Sequence, residues 1–195
     1  MPYRPLAHTR RTPPPPTARP RPCRGFTAVE LLITIAILAV LMSLAAPSFS
    51  SLMERWQSSQ TSEQLKDTIY FARSEAIKRG GNVALQKLPN NTNGCTTATG
   101  ADNWDCGWFV CEDTNGNGTC GATEPVLQRF DAPAKVEITR STSVASIKFN
   151  RWGLVDGAFP GFSVVPAGKS VSDPAARGVC TSAGGRVHIT TTPPC

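Results

Sequence analysis

Residues 24–46 read Arg24-Gly25-Phe26-Thr27-Ala28-Val29-Glu30 and then LLITIAILAVLMSLAA. The 21 residues from Phe26 to Ala46 carry one charge, Glu30. As a helix rising about 1.5 Å per residue they span roughly 30 Å, the thickness of the hydrocarbon core of a bilayer. Arginines precede the stretch and none falls within it, which places the N-terminus in the cytoplasm and sends the remainder across the membrane. A cleaved secretory signal is the competing reading. Its apolar region is shorter, however, and carries no acid near its start. A transmembrane helix over 26–46 is therefore expected.

Upstream, residues 1–25 hold six arginines, no acid, and eight of the seventeen prolines. Such a segment buries too little apolar surface to offset its ordering entropy and is expected to be disordered. The chain has 195 residues and a formal charge of +6, from 20 Lys and Arg against 14 Asp and Glu. Removing the first 25 leaves 14 basic and 14 acidic residues, a balance of zero. The net positive charge thus belongs to the leader, and bulk electrostatics give no argument for a nucleic-acid partner.

Downstream of Pro47, no breaker interrupts the sequence until Gly80-Gly81. Leu65, Ile69, Ala72 and Ala76 recur at i, i+4, i+7 and i+11, one face of a helix. Glu75 and Arg79 lie four apart on the wet side, and Gly80 suits a C-cap. Residues 47–80 are expected to continue the helix in amphipathic form. Over 81–195 the pattern changes to short runs rich in Val, Ile, Phe and Thr between Gly, Asn and Pro. Strands are expected at 82–88, 107–111, 125–130, 135–140, 145–149, 161–165 and 186–190. The fold class is α+β: a long N-terminal helix whose amphipathic half packs on a mainly antiparallel β-sheet head. Residues 89–106 are polar and expected to form an exposed loop.

Six of the seven cysteines, Cys95, Cys106, Cys111, Cys120, Cys180 and Cys195, lie in this exported part. An even number beyond the membrane implies three disulfides, among fifteen pairings. Neighbour pairing, Cys95–Cys106, Cys111–Cys120 and Cys180–Cys195, is the simplest set. Zinc is disfavoured, because no C-x-x-C pair occurs and no histidine accompanies the cluster. Asp113, Asn115, Asn117, Gly118 and Glu124 satisfy the D-x-N-x-N-G-x5-E calcium-loop pattern. The strand-like GWFVCE before it and Pro125 after it do not suit the flanking helices of that motif. A plain hairpin turn without cofactor is the favoured reading, with calcium as the alternative. The two histidines, His8 and His188, stand near no evident nucleophile, and neither a G-x-S-x-G elbow nor a phosphate-binding loop occurs. No enzyme is expected.

The junction Arg24-Gly25-Phe26-Thr27-Ala28-Val29-Glu30 resembles the processing site of type IV pilins and type II secretion pseudopilins. The stretch FARSEAIKRGGNVAL (71–85), with GWFVCEDTNGNG (107–118), IKFNRWG (147–153) and GGRVHI (184–189), is similar to the GspH/FimT branch of that family. The resemblance implies a pilin-like fold and cleavage by a prepilin peptidase between Gly25 and Phe26. It further implies methylation of the new N-terminus at Phe26 and removal of the leader 1–25. Glu30 would neutralise the terminal amine of a neighbouring subunit, a pairing that offsets the cost of burying each charge alone. The implied function is that of a minor pseudopilin or minor pilin. The implied partners are other pilins or pseudopilins along the N-terminal helix, the peptidase and the inner membrane, with the head in the periplasm. Some FimT-type pilins bind DNA through a G-R-x-R motif. Gly185-Arg186-Val187-His188 corresponds to it with His at the last position, so DNA uptake through Arg186 is the alternative function.

Overall fold

The computed structural model describes residues 25–195 except 132, 134, 158–160 and 183, and omits the side chains of 44–48. Of the leader 1–25, expected to be disordered, residues 1–24 lie outside the described residues. One α-helix, α1, runs Ala28–Arg79 and the backbone stays helical through Pro47. The chain divides into two compact units, Met1–Leu44 and Ala45–Cys195.

In the first unit every side chain from Gly25 to Ser43 is exposed, and the exposed apolar ones, from Val29 to Met42, lie all around the helix. Among the described residues, no helix is long and apolar enough to cross a membrane. The described apolar side chains end at Ser43, short of the about 20 residues a span requires, and the next five lie outside the description.

In the second unit the helical face read from the 3.6-residue period is the packed face. Leu65, Ile69, Ala72 and Ala76 have no exposed surface. The helix ends where Gly80 adopts φ 72° and Gly81 N–H donates to Ala76 O at 2.7 Å. That backbone closure meets an orphan carbonyl, and glycine adopts its left-handed conformation without a Cβ penalty.

Nine strands follow among the described residues, all paired antiparallel: β1 Val83–Lys87, β2 Gly107–Glu112, β3 Val126–Asp131, β4 Val136–Arg140, β5 Ser146–Phe149, β6 Val155–Asp156, β7 Gly161–Pro166, β8 Arg177–Thr181 and β9 Val187–Thr190. They form two sheets, in the orders β3-β2-β1-β5-β6 and β4-β7-β8-β9. A core of helix and sheet residues joins them, including Leu65, Ile69, Trp108, Phe149, Phe162 and Val179. β4 buries Val136, Ile138 and Arg140 and exposes Glu137 and Thr139, the period-two signature of a sheet with one wet face. β1, at the centre of the larger sheet, is buried on both faces except at Gln86.

Three features depart from the sequence reading. The head has two sheets where one was expected. Strands β6 and β8 were not foreseen. β6 has only two residues, and β8 carries Gly178, which leaves room for Thr190 of β9 and for Pro193 beyond it. A glycine at such a close approach weakens the strand signal while the packing requires it. Finally, 89–106 is only partly an exposed loop. Its second half turns inward, with Trp104 fully buried edge-on to Phe162 at 5.0 Å and its backbone N–H donating to Ile138 O at 2.8 Å. A large indole was enough to draw an otherwise polar segment onto the core.

Candidate assembly site and head loops

The junction predicted to be cut is open. Gly25 has no heavy atom within 4 Å of where a Cβ would stand, and Phe26 is 86% exposed. Thr27, immediately before α1, accepts the Glu30 N–H on its Oγ1 at 3.2 Å. Glu30 Oε2 in return accepts from Thr27 N and from Thr27 Oγ1, each at 3.0 Å. This is a capping box, in which the first-turn acid and the N-cap hydroxyl satisfy each other's backbone donors. Sequence reading missed it, although Thr27-x-x-Glu30 ahead of an apolar run is its standing signature. Both contacts fall on Oε2, and Oε1 makes no hydrogen bond among the described residues. The carboxylate is thus held at the helix start with one oxygen available.

Farther along, Phe49, Leu52, Met53 and Trp56 form an exposed apolar strip at helical spacing in the second unit. They border an apolar hollow of about 350 Å³.

Three disulfides join Cys95 to Cys106, Cys111 to Cys120 and Cys180 to Cys195, the neighbour pairs. The Cys111–Cys120 bridge clips the first part of the loop that begins at Asp113. There Asp113 Oδ2 accepts Gly118 N–H at 2.8 Å, Asn115 Oδ1 accepts Asn117 N–H at 2.9 Å, and Asn117 Oδ1 accepts Thr119 N–H at 2.8 Å. Glu124 closes the loop, taking Gly121 N–H on Oε2 at 2.7 Å and Asn115 N–H and Thr114 Oγ1 on Oε1 at 3.3 and 3.1 Å. These donors, Gly121 first, hold the Glu124 carboxyl below its ordinary value. Lys148, which sequence reading did not connect with the loop, donates its ammonium to Gly116 O at 2.6 Å. Among the described residues, no group of three or more His, Cys, Asp or Glu could hold a metal ion.

Arg186 is exposed beside β9, and His188 faces out from that strand. The preceding Gly185 is fastened to α1, since Arg73 donates to its carbonyl oxygen and Tyr70 Oη donates to Val187 O at 3.1 Å. Neither helix residue was singled out from sequence. Other basic side chains of the last seventy residues are engaged locally. Arg129 pairs with Asp131, Arg140 is buried against the Val144 and Ser146 carbonyls, and Arg177 folds onto those of Pro174 and Ala176. Burial of the Arg140 guanidinium brings it down to about 10.

The family model for the type II transport protein GspH matches residues 61–185, and that for the prokaryotic N-terminal methylation motif matches residues 20–46. The pilin-like protein PilA1 of Thermus thermophilus is 38% identical over 71 residues, which are 36% of this chain and 44% of that relative. The match therefore spans less than half of the curated relative. Two crystal structures of the type IV minor pilin FimU of Pseudomonas aeruginosa share the fold. One has a TM-score of 0.50 at 20% identity, covering 68% of this chain and 91% of FimU. The other has a TM-score of 0.52 at 19% identity, covering 71% and 92%.

Proposed function

The chain belongs to the GspH family of type II transport proteins, and from that premise we propose that it is a minor pilin or pseudopilin subunit. In this reading it is cut between Gly25 and Phe26 by a prepilin peptidase and methylated at Phe26. The exposed apolar turns of α1 anchor it in the inner membrane, with the disulfide-bonded head in the periplasm. It then enters a type II secretion pseudopilus or a type IV pilus at or near the tip, supporting secretion or pilus biogenesis.

The observation that carries the reading is the start of α1. A helix apolar on all sides has no stable place in water, so it must pack against lipid or against other such helices. A carboxylate at its first turn, with Oε1 unclaimed, suits the terminal ammonium of an adjacent subunit. In an apolar surrounding, such a pair avoids the desolvation penalty that either charge bears alone. The methylation motif covering residues 20–46 supports the same assignment for Gly25 and Phe26.

Glu30→Gln tests the charge. Glutamine retains an acceptor for the Thr27 donors, so the cap survives while the ion pair is lost. The variant is expected to insert into membranes as the wild type does and to be depleted at least tenfold from the sheared filament or pseudopilus fraction. Wild-type incorporation would remove Glu30 from the assembly step.

A further inference from the structure

The loop between β2 and β3 contains a buried acceptor that the protein itself leaves without a donor. Asp113 has no exposed surface. Its Oδ2 is bonded to Gly118 N–H inside the loop, while Oδ1, also buried, has no hydrogen-bond partner among the described residues. Leaving a carboxylate oxygen dry and unpaired is costly, and such oxygens in native proteins usually face an ion or a water. The same loop carries oxygen-bearing side chains, Asn115, Asn117 and Glu124, at the third, fifth and twelfth positions counted from Asp113. The sixth position is Gly118 at φ 82°, where a calcium loop needs its sharp turn.

We propose that residues 113–124 form a calcium-binding loop, with Asp113 Oδ1 as the ligand that the cation completes. The donor chemistry is that of a hard cation: carboxylate and amide oxygens, without nitrogen or sulfur ligands. Two carboxylates and two amides make up the set, so among the described residues it holds no group of three acids or histidines. The helices that usually flank this pattern are absent, and two strands replace them. Preorganisation comes from elsewhere. The Cys111–Cys120 bridge clips residues 113–119, the first part of the loop, and Cys120 N–H is fixed to Gln86 Oε1 of β1 at 2.7 Å. A loop held in place before binding loses less entropy on binding.

The same structure sets the strength. Only two carboxylates contribute, and the Lys148 ammonium lies against the loop at Gly116 O. The affinity expected is that of extracellular calcium modules, about 10⁻⁴ to 10⁻³ M. Magnesium is disfavoured, since it demands near-ideal octahedral geometry and gives up its waters reluctantly.

The test is calorimetric titration of CaCl2 into the full chain, disulfides intact, in detergent after treatment with EGTA. One saturable site in that range is expected, with a melting temperature raised by about 3 °C in 5 mM CaCl2 and unmoved by the same MgCl2. Asp113→Asn and Glu124→Gln are each expected to weaken binding at least tenfold. Asn117→Ala alters an exposed side chain and tests the same ring where a buried substitution impairs folding; it too is expected to bind more weakly. Lys148→Gln is expected to bind several-fold more tightly, an effect that a merely structural loop would not give. No saturable heat up to 10 mM CaCl2, or equal binding by wild type, Asn117→Ala and Glu124→Gln, would overturn the proposal. So would an equal response to magnesium.

Discussion

At Glu30 two physical roles meet in one side chain. The capping box explains why an acid is tolerated ahead of an apolar run: it satisfies the Thr27 N–H and Thr27 Oγ1–H, donors that would otherwise be left to solvent. The cap alone does not require a charge, since glutamine serves at that position. Thr27→Ala separates the two roles from the other side. It removes the acceptor of the Glu30 N–H while keeping the carboxylate. In detergent-solubilised protein, amide exchange at Glu30 is expected to quicken several-fold with no change in the head. Incorporation into filaments is expected to fall less than for Glu30→Gln. A larger loss for Thr27→Ala would mean that the helix start, and not the charge, governs assembly. The T-x-x-E spacing is legible in the sequence, but the apolar run that follows makes Glu30 equally a membrane-embedded acid, and the spacing alone does not separate the two roles.

Among the elements, α1 and its C-terminal turn were the most legible. The spacing of Leu65, Ile69, Ala72 and Ala76 fixes a face, and small residues at 72 and 76 let the sheets approach closely. Seven strands were visible because their β-branched and aromatic residues alternate or cluster between turn formers. The strands that escaped are those whose reason is tertiary. β8 exists because Gly178 admits Thr190, and β6 because Asn150 Oδ1 accepts the Trp152 and Leu154 N–H groups and turns the chain back. Two glycines show how differently the same conformation can be constrained. Gly80, at φ 72°, has open space around it, whereas Gly153, at φ 70°, would place a Cβ 3.0 Å from Ile77 Cδ1 and 3.1 Å from Arg73 O. Gly80→Ala is expected to cost about 1 kcal/mol from the backbone conformation alone. Gly153→Ala is expected to cost at least about 2 kcal/mol, because the helix carbonyl cannot retreat. Chemical denaturation of the two variants checks the order, and equal midpoints would contradict it.

For the molecule as a whole, the +6 charge of the sequence misdescribes the subunit. It resides in residues 1–25, and the remaining side chains balance. What the head has in place of a surplus charge is covalent reinforcement. Each bridge closes a short segment, with sequence separations of 11, 9 and 15. The last ties Cys195 to β8, whose pairing with β9 completes the smaller sheet. Replacing Cys180 and Cys195 by serine is expected to lower stability by about 3 kcal/mol, the chain-entropy value for a loop of that length. Thermal unfolding under non-reducing conditions measures it. An unchanged midpoint would show that the strand pairing holds without the bridge. Connectivity could be guessed from sequence because neighbours suffice, whereas the two-sheet arrangement could not, since nothing local distinguishes a strand of one sheet from a strand of the other.

A processed subunit is distinguished from an unprocessed one by its mature N-terminus. Intact-mass and N-terminal peptide analysis of protein recovered from membranes of the native cell is expected to show a chain beginning with N-methylated Phe26 and lacking residues 1–25. A mature chain that retains Met1, or that begins beyond Ala46, would contradict it.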